Sequence, residues 1–362
     1  MELQEYLRQH GLETWSETYH IKVTRHRQYP DLVCLKYSQI ESPLGEKIVQ
    51  QCRGIILDSS QNWQIVSYPY DKFFNYGEIH AAAIDWSHAK VYEKLDGSLT
   101  VLYFYKGEWR VQSSGTPDAA GEVNGFGFSF AELFWKVWQE ELGYQLPEET
   151  DQCFIFELIT PYNRIVVQPK NNQIVLHGVR NTQTLLETDP SLWANKYGWE
   201  LVASYPLTSW KEVIEAAQHL DPMDSEGYII CDANFNRVKV KSPQYVAISH
   251  LREGFSTRRL IEIVLTNEGE EFLAYFPEWS ELYQKVKDKY QSLVEEIEEA
   301  YRQHEHIEVQ KDFALAVKDL PYSGILFSLR ARRVAGVKEA LRDVTIHKIE
   351  ELLGLDYLHL GL

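Results

Sequence analysis

One lysine of the chain, Lys94, stands where a side-chain amine could act as a nucleophile. It ends the stretch VYEK and precedes Asp96 and Gly97, a pair typical of a tight turn that leads into a strand. Residues 100–105 are rich in β-branched and aromatic side chains, and residues 109–112 alternate after the turn KGE, which predicts a β-hairpin. Taken alone, Lys94 also fits a solvated lysine beside a turn, so its interpretation depends on the other charged residues.

Two carboxylates lie in stretches that are otherwise apolar. Glu157 lies within FIFELI, and Glu226 begins the strand-like stretch EGYIICD. A carboxylate flanked by buried residues needs a cation, a metal or a ligand hydroxyl as its partner. For each residue alone, the alternative is an edge-strand position whose side chain faces water.

A pair of lysines, Lys239 and Lys241, lies in the stretch NRVKVK. Because side chains alternate along a strand, the two lysines share one face, and Val238 and Val240 share the other. Two ammonium groups roughly 6–7 Å apart repel each other unless an anion lies between them. A phosphate is the simplest anion for this position.

The lysine, the two carboxylates and the lysine pair, in this order, fit nucleotidyl transfer, in which a lysine amine attacks a nucleoside triphosphate and forms a phosphoramide. The amine must be neutral to react, and neighbouring cations or a bound metal lower the pKa of such a lysine. The carboxylates would hold a divalent metal or the ribose, and the paired lysines would receive the charge of the α-phosphate.

The composition narrows the class of protein. With 362 residues, 44% of them hydrophobic, the chain is expected to bury a sizeable core and to form two or three domains. Its net charge of −17 argues against a protein that coats nucleic acid by bulk electrostatics, but allows a local basic groove. The four cysteines are far apart, which disfavours structural zinc and disulfides. Without a signal peptide or a long apolar run, a soluble cytoplasmic protein with no membrane association is expected.

The hydrophobic pattern changes near residue 250. Before it, short alternating segments predominate, with helices at about residues 127–142 and after Ser209. Beyond it, apolar residues from Leu282 to Tyr301 recur at steps of three and four, as on one face of a long helix. We therefore predict an α+β fold, with a domain of antiparallel sheets and flanking helices at residues 1–250 and a mostly helical domain at 251–362. The other predicted short alternating segments are residues 55–57, 64–68, 153–159, 164–168, 173–179 and 227–240.

The motifs resemble those of a known family. The stretches CRGIILD, DKFFNYGE, KLDGS, FELITPYNRIVV, LHGVRN, EGYIICD and VKVKSPQY follow one another along the chain. Together they look like the covalent nucleotidyltransferases, which comprise ATP-dependent DNA ligases, RNA ligases and mRNA capping enzymes. Within this superfamily they are most similar to the RNA ligase 1 family, typified by a bacteriophage tRNA-repair enzyme. The resemblance covers about residues 30–245 and implies a nucleotidyltransferase domain there.

The resemblance implies a role for each of the charged residues above. Lys94 would be the site of covalent AMP attachment. Glu157 and Glu226 would lie at the ribose and at the metal, either Mg²⁺ or Mn²⁺. Lys239 and Lys241 would contact the α-phosphate of ATP.

Three further residues are implied to bind ATP. Arg53 of CRG and Lys72 of DKFFN would bind the triphosphate at its β and γ groups. Glu93, which precedes the predicted nucleophile, would meet the adenine edge, and a solvated glutamate is the alternative reading.

The resemblance also implies a reaction in three steps. The lysine attacks ATP and releases pyrophosphate, the AMP moves to the 5′-phosphate of an RNA end, and a 3′-OH end then displaces AMP. RNA with 5′-phosphate and 3′-OH ends is therefore the expected partner. A related enzyme that acts on DNA ends or caps, and a protein that binds nucleotide or RNA ends without sealing them, remain alternatives.

The chain departs from the family pattern in two places. Members often carry a lysine in the second strand of the hairpin, where this chain has Gln112, Ser113 and Ser114. Residues 256–362 contain no matching motif, although a helical module there would select the RNA substrate. A cluster of basic residues near the junction is interpreted as an RNA path; its members are Arg237, Lys239, Lys241, Arg252, Arg258 and Arg259.

Overall fold

The computed structural model of the chain describes residues 1–12, 18–39, 41–251 and 257–355. The chain divides into two compact units. The first comprises residues 1–38 and 42–249, and the second comprises residues 39–41 and the chain from 250 onward.

The first unit is built mainly from strands. In chain order these are β1 (Ile21–Arg25), β2 (Leu32–Tyr37), β3 (Arg53–Asp58), β4 (Gln64–Ser67), β5 (Phe74–Asn75), β6 (Lys90–Lys94), β7 (Ser98–Tyr105), β8 (Glu108–Ser113), β9 (Gln152–Ile159), β10 (Gln173–Asn181), β11 (Glu187–Thr188), β12 (Glu200–Leu201), β13 (Ser204–Tyr205), β14 (Gly227–Cys231) and β15 (Arg237–Lys241). Its helices are α1 (Glu2–His10), α2 (Lys47–Gln50), α3 (Phe130–Trp135), α4 (Pro190–Tyr197), α5 (Trp210–Gln218) and α6 (Pro243–Leu251).

These strands form three sheets. Sheet 1 has the order β1-β2-β3-β4, sheet 2 has the order β11-β10-β9-β7-β8 with β12 beside β10, and sheet 3 has the order β13-β6-β14-β15-β5. The pairs are antiparallel, except that β12 runs parallel to β10 and β5 runs parallel to β15. The predicted antiparallel architecture and the β7-β8 hairpin are therefore confirmed.

Sheet 2 is buried on both faces, which determines where its charged residue can go. Phe154 and Phe156 of β9 pack with Trp138 on one face, and Cys153 and Ile155 pack with residues of sheet 1 on the other. Since side chains alternate along a strand, residue 157 continues the face that is turned toward sheet 1. On this face of β9, Cys153 and Ile155 are buried in the core, and the carboxylate of Glu157 lies beyond them, where the core ends.

The helices of the first unit begin largely where the sequence predicts. The Ser209 hydroxyl caps α5 by accepting a hydrogen bond from the Glu212 amide, and α3 continues as a π-helical turn over Lys136–Glu141. One predicted strand is wrong. Residues 164–168 form no strand because the amides of Val166 and Val167 donate to a carboxylate instead of to a neighbouring strand.

The second unit is helical in its described residues. The predicted long helix is confirmed as α9, whose Val286, Tyr290, Leu293 and Ile297 are buried in the core of this unit. The helices are α7 (Thr257–Leu265), α8 (Gly269–Tyr275), α9 (Ser280–His304), α10 (Gln310–Val317), α11 (Ser323–Arg330), α12 (Val337–Arg342) and α13 (Ile346–Leu353).

The predicted fold class is confirmed, because an α+β part with antiparallel sheets precedes a helical part. Within the described part of the chain, no helix has the length and apolar character needed to cross a membrane.

Candidate active site

Most of the predicted site residues meet in one cavity of the first unit. The cavity has a volume of about 390 Å³, and side chains from all three sheets line it. The predicted residues that line it are Arg53, Lys94, Glu157, Lys239, Lys241 and, from the predicted RNA path, Arg237.

Lys94 lies at the end of β6, directly opposite Gly227 of β14. Its Nζ atom is 2.5 Å from Oε2 of Glu226, and Oε1 of the same carboxylate is 3.6 Å from Nζ of Lys241. Glu226 is almost fully buried, and the Lys94 side chain is 18% exposed. The predicted metal ligand is therefore the ion-pair partner of the predicted nucleophile in this structure.

A glycine makes this contact possible. Gly227 has a φ of 151°, and a Cβ atom at this position would lie 2.2 Å from the carbonyl oxygen of Val240. Only glycine allows β14 and β15 to approach this closely. The approach brings Glu226 beside both lysines.

The turn after Lys94 is fixed by hydrogen bonds to a buried carboxylate. Oδ2 of Asp96 accepts from the Val166 amide at 2.8 Å and the Val167 amide at 2.7 Å, and Oδ1 accepts from the Tyr245 hydroxyl at 2.9 Å. Next to it, a Cβ atom on Gly97 would lie 2.6 Å from the Leu158 carbonyl oxygen, so the turn lies directly against β9. Asp96 therefore positions the end of β6 rather than entering the cavity.

Glu157 enters the cavity from the centre of sheet 2, which excludes the edge-strand reading. Its Oε2 atom is 3.5 Å from Nε2 of His177, and Nδ1 of His177 is 3.0 Å from the Tyr70 hydroxyl. The Nε2 atom of His177 is buried and makes no hydrogen bond in the structure. This wall therefore offers a carboxylate and an imidazole nitrogen to a ligand.

The basic residues of the cavity surround an aromatic ring. The Cζ atom of Arg53 lies 4.8 Å from the centroid of Phe73, and Nζ of Lys239 lies 5.7 Å from it. One guanidinium nitrogen of Arg53, Nη1, is buried and has no hydrogen-bond partner in the structure. An orphaned buried donor of this kind is suited to an anionic ligand.

The alternation predicted for β15 is confirmed, because Val238 and Val240 are buried while Lys239 and Lys241 line the cavity. Lys239 lies opposite Ile229, which in turn lies opposite Tyr92 of β6. This row gives the cavity an apolar wall beside its cations.

Two predicted ATP-binding residues do not line this cavity. The Nζ atom of Lys72 is 4.9 Å from the ring centroids of both Tyr37 and Phe74, and the side chain lines a neighbouring cavity. Glu93 lines another cavity of about 450 Å³, which Lys94 lines as well. Since Glu93 directly precedes Lys94 in β6, alternation turns its side chain to the opposite face, where burial raises the pKa of its carboxyl.

Several lining residues were not predicted from the sequence. Tyr92 and Ile229 share strands with predicted residues, so strand alternation could have identified them, whereas Lys36, Phe73 and His177 meet the site only through the packing of separate sheets. The unpredicted residues that line the cavity are Lys36, Tyr37, Tyr70, Phe73, Tyr92, Leu95, Gly97, Leu99, Ser114, His177, Val202 and Ile229.

The predicted RNA path stays a prediction, and each of its arginines among the described residues is paired with a carboxylate. Arg237 is buried and forms an ion pair with Glu187 at 2.5 Å, and the charge of Glu187 raises the pKa of the guanidinium against the effect of burial. Arg258 pairs with Glu350, and Arg259 pairs with Glu262. The remaining predicted member outside the cavity, Arg252, lies outside the described residues.

Comparison with known proteins identifies the family. Residues 51–245, more than half of the chain, match the profile of the family described as RNA ligase, of the phage RNA ligase 1 type. The chain therefore belongs to this RNA ligase family, a family of ligase enzymes.

Individual relatives show the same likeness. An RNA ligase of Rhodothermus phage RM378 is 25% identical over 69% of this chain and 71% of its own length. A protein of Autographa californica nuclear polyhedrosis virus, assigned as a bifunctional polynucleotide kinase/RNA ligase, is 28% identical over 74% of this chain but only 40% of its own length. A solved archaeal ATP-dependent RNA ligase aligns with 97% of this chain and 81% of its own at a TM-score of 0.42 and 14% identity. Because this TM-score and this identity are low, the family assignment depends on the sequence matches and not on the structural alignment.

Proposed function

We propose that the protein is an ATP-dependent RNA ligase that joins 5′-phosphate and 3′-OH RNA ends through a covalent lysyl-AMP intermediate. The observation that carries the proposal is the meeting of Lys94 with Glu157, Lys239, Lys241 and Arg53 in one cavity of about 390 Å³. A cavity of this size matches a small-molecule site, and its cations suit a polyphosphate.

Lys94 acts first. Its amine attacks the α-phosphorus of ATP, a P–N bond forms, and the bond to pyrophosphate breaks with its electron pair leaving on the pyrophosphate. The ammonium must first release a proton to solvent, so its ion pair with Glu226 has to be exchanged for contacts with the ligand. Lys239 and Lys241 neutralise the charge that develops on the α-phosphate.

Later steps use the same centre. The 5′-phosphate of an RNA end takes the AMP from Lys94, and a 3′-OH then displaces AMP to form the phosphodiester. Arg53 binds the departing β and γ phosphates in the first step, and the apolar row with Tyr92 and Ile229 receives the base. Lys72 and Glu93 line neighbouring cavities, so their contacts with the β and γ phosphates and with the adenine edge stay predictions.

The carboxylates Glu157 and Glu226 fit a hard divalent cation, either Mg²⁺ or Mn²⁺. In the described part of the chain no cluster of three His, Cys, Asp or Glu residues could hold a metal alone. The ion would therefore take its other ligands from phosphate oxygens and water, as Mg²⁺ commonly does. When bound, it would add charge neutralisation at the phosphates.

The RNA substrate is a further part of the proposal. The phage and baculovirus relatives carry names that include RNA ligase, which favours RNA over DNA ends. We include repair of cleaved tRNA as the physiological role and RNA selection as the role of residues 251–362. A cytoplasmic location is consistent with the four unpaired cysteines, since a reducing compartment preserves free thiols.

The first test is covalent labelling. Wild-type protein and the variants Lys94→Ala and Lys90→Ala are incubated with α-labelled ATP or GTP and a divalent metal, then separated under denaturing conditions. Lys90 is the matched control because it lies on the same strand, is exposed and pairs with Asp189 at 2.7 Å. We expect label from ATP in wild type and Lys90→Ala and none in Lys94→Ala, with equal circular dichroism for all three.

The outcomes separate the candidate functions. Label from GTP indicates capping chemistry, and the absence of label from both nucleotides favours a binding protein. Label that persists in Lys94→Ala assigns the nucleophile elsewhere. Labelled protein is then supplied with 5′-phosphorylated RNA or DNA of the same sequence, and joining of RNA alone is the expected result.

A further inference from the structure

A lysine that the motifs do not include, Lys36, faces another cation in the cavity. Lys36 of β2 is the direct cross-strand partner of Arg53 of β3, at a point where the register shifts by a bulge. Both side chains line the cavity that also contains Lys94. Like charges directly opposite each other on neighbouring strands destabilise a sheet unless an anion lies between them.

The contacts of Lys36 leave its charge unneutralised. Its Nζ atom donates to the Ser114 hydroxyl at 3.3 Å, and the chain at Gly115 lies beside its side chain. It forms no ion pair with a carboxylate in the part of the chain that the structure describes. Burial lowers the pKa of Lys36, and Lys22 and Arg53 add to the decrease.

The positive charges of Lys36 and Arg53 favour the binding of an anion between them. A cation that is partly removed from water and has only a hydroxyl as its partner costs free energy, and a negatively charged ligand offsets that cost. The orphaned Nη1 atom of Arg53 is a second donor without an acceptor in the same part of the cavity. Two features, a pair of like charges and an orphaned donor on one of its members, therefore indicate an anionic ligand here.

We propose that Lys36, Arg53 and the Ser114 hydroxyl form a subsite for the pyrophosphate portion of a nucleoside triphosphate. This inference rests on the proposed function, and it adds Lys36 as a residue that contacts the substrate. The subsite lies beside the cations of the α-phosphate, because Arg53 and Lys239 both contact the ring of Phe73. The triphosphate then runs from Lys239 past Phe73 toward Lys36.

The subsite also accounts for the departure in the hairpin. Position 114, directly after β8, carries a serine in this chain. Lys36 reaches the same point from β2, since its ammonium contacts the side chain of residue 114. Lys36 therefore supplies a cation at a point where residue 114 itself carries no charge.

The test uses inorganic pyrophosphate as the probe and thermal unfolding as the readout. We expect pyrophosphate to raise the melting temperature of wild type, and we expect Lys36→Ala to require about tenfold to a hundredfold more pyrophosphate for the same shift, as for loss of a charge-assisted hydrogen bond. Lys22→Ala is the matched control, because Lys22 is the exposed cross-strand neighbour of Lys36 on β1. AMP should stabilise all three proteins equally.

A second variant guards against an effect on folding. In Lys36→Ala/Ser114→Lys, a lysine at position 114 restores the cation from the other strand, so the response to pyrophosphate should return. Without ligand, Lys36→Ala should melt no lower than wild type, since the substitution relieves repulsion from Arg53. If Lys36 instead stabilised the fold, Lys36→Ala would melt at a lower temperature than wild type without ligand.

The failures can be told apart. Equal pyrophosphate responses of wild type and Lys36→Ala overturn the subsite, as does a defect confined to AMP. A wild type that binds pyrophosphate through Lys36 but takes no label from ATP supports the subsite and removes the ligase function. An absence of any pyrophosphate response in wild type overturns the subsite directly.

Discussion

At the scale of single residues, the charged groups of this site serve distinct purposes that their residue types do not reveal. Asp96 holds the turn through three hydrogen bonds, while Glu226 holds the lysine itself. Both carboxylates follow Lys94 in the sequence, Asp96 in the next turn and Glu226 at the start of a distant strand. The lysine-turn motif is thus fixed at both its backbone and its amine before any ligand binds.

Glu93 allows a prediction about pH at this scale. Burial raises the pKa of its carboxyl in the folded state, so the stability it contributes is present below the ordinary pKa of a glutamate and is lost as pH rises through the folded-state pKa. Glu93→Gln should therefore raise the melting temperature at pH 8 and leave it nearly unchanged at pH 4. Thermal unfolding across this range measures the difference.

The control for this prediction is Glu140→Gln, because Glu140 is exposed and its carboxylate stays in water in both states. A difference for Glu93→Gln that is the same at every pH would show that shape, not charge, is responsible. ATP labelling should persist in Glu93→Gln, because Glu93 does not line the cavity that Glu157, Lys239 and Lys241 share with Lys94.

At the scale of elements, the site depends on how closely two strands approach. Gly227 allows β14 to lie against β15, and a Cβ atom would overlap the Val240 carbonyl. Gly227→Ala combines this overlap with an unfavourable φ, so we expect a loss of about 3–5 kcal/mol in unfolding free energy and the loss of ATP labelling. Chemical denaturation and the labelling assay measure both.

Gly121→Ala is the matched substitution, because a Cβ atom there meets nothing within 4 Å. Its unfolding free energy should stay within about 0.5 kcal/mol of wild type. A Gly227→Ala protein as stable as this control would contradict the proposed packing of β14 on β15.

Secondary-structure elements with a local sequence pattern can be predicted, whereas contacts between distant segments cannot. The β7-β8 hairpin and the helix α9 were predicted because their patterns are local, with a period of two in one and of three to four in the other. Residues 164–168 resemble a strand in pattern, but their amides bond to Asp96, which is far away in sequence. Lys36 was not predicted as a site residue because its position also depends on a contact between distant segments: only the pairing of β2 with β3 brings it opposite Arg53.

At the scale of the whole molecule, net charge and local charge differ in sign. The chain carries −17, yet its cavity collects Lys36, Arg53, Lys94, Lys239 and Lys241. A protein of this kind is unsuited to binding nucleic acid by bulk attraction. The acidic surface disfavours general contact with RNA, while the basic cavity attracts a phosphate end.

The division of the chain into units gives the last prediction. Every residue that lines the cavity lies between Lys36 and Lys241, within the first unit, so a fragment of residues 1–251 should label itself with ATP. A fragment of residues 1–242 should fail, because it lacks α6 and the Tyr245 hydroxyl that bonds to Asp96. Joining of RNA should be weaker in the longer fragment than in the full chain. A folded 1–251 fragment that takes no label would assign part of the ATP site to the helical unit.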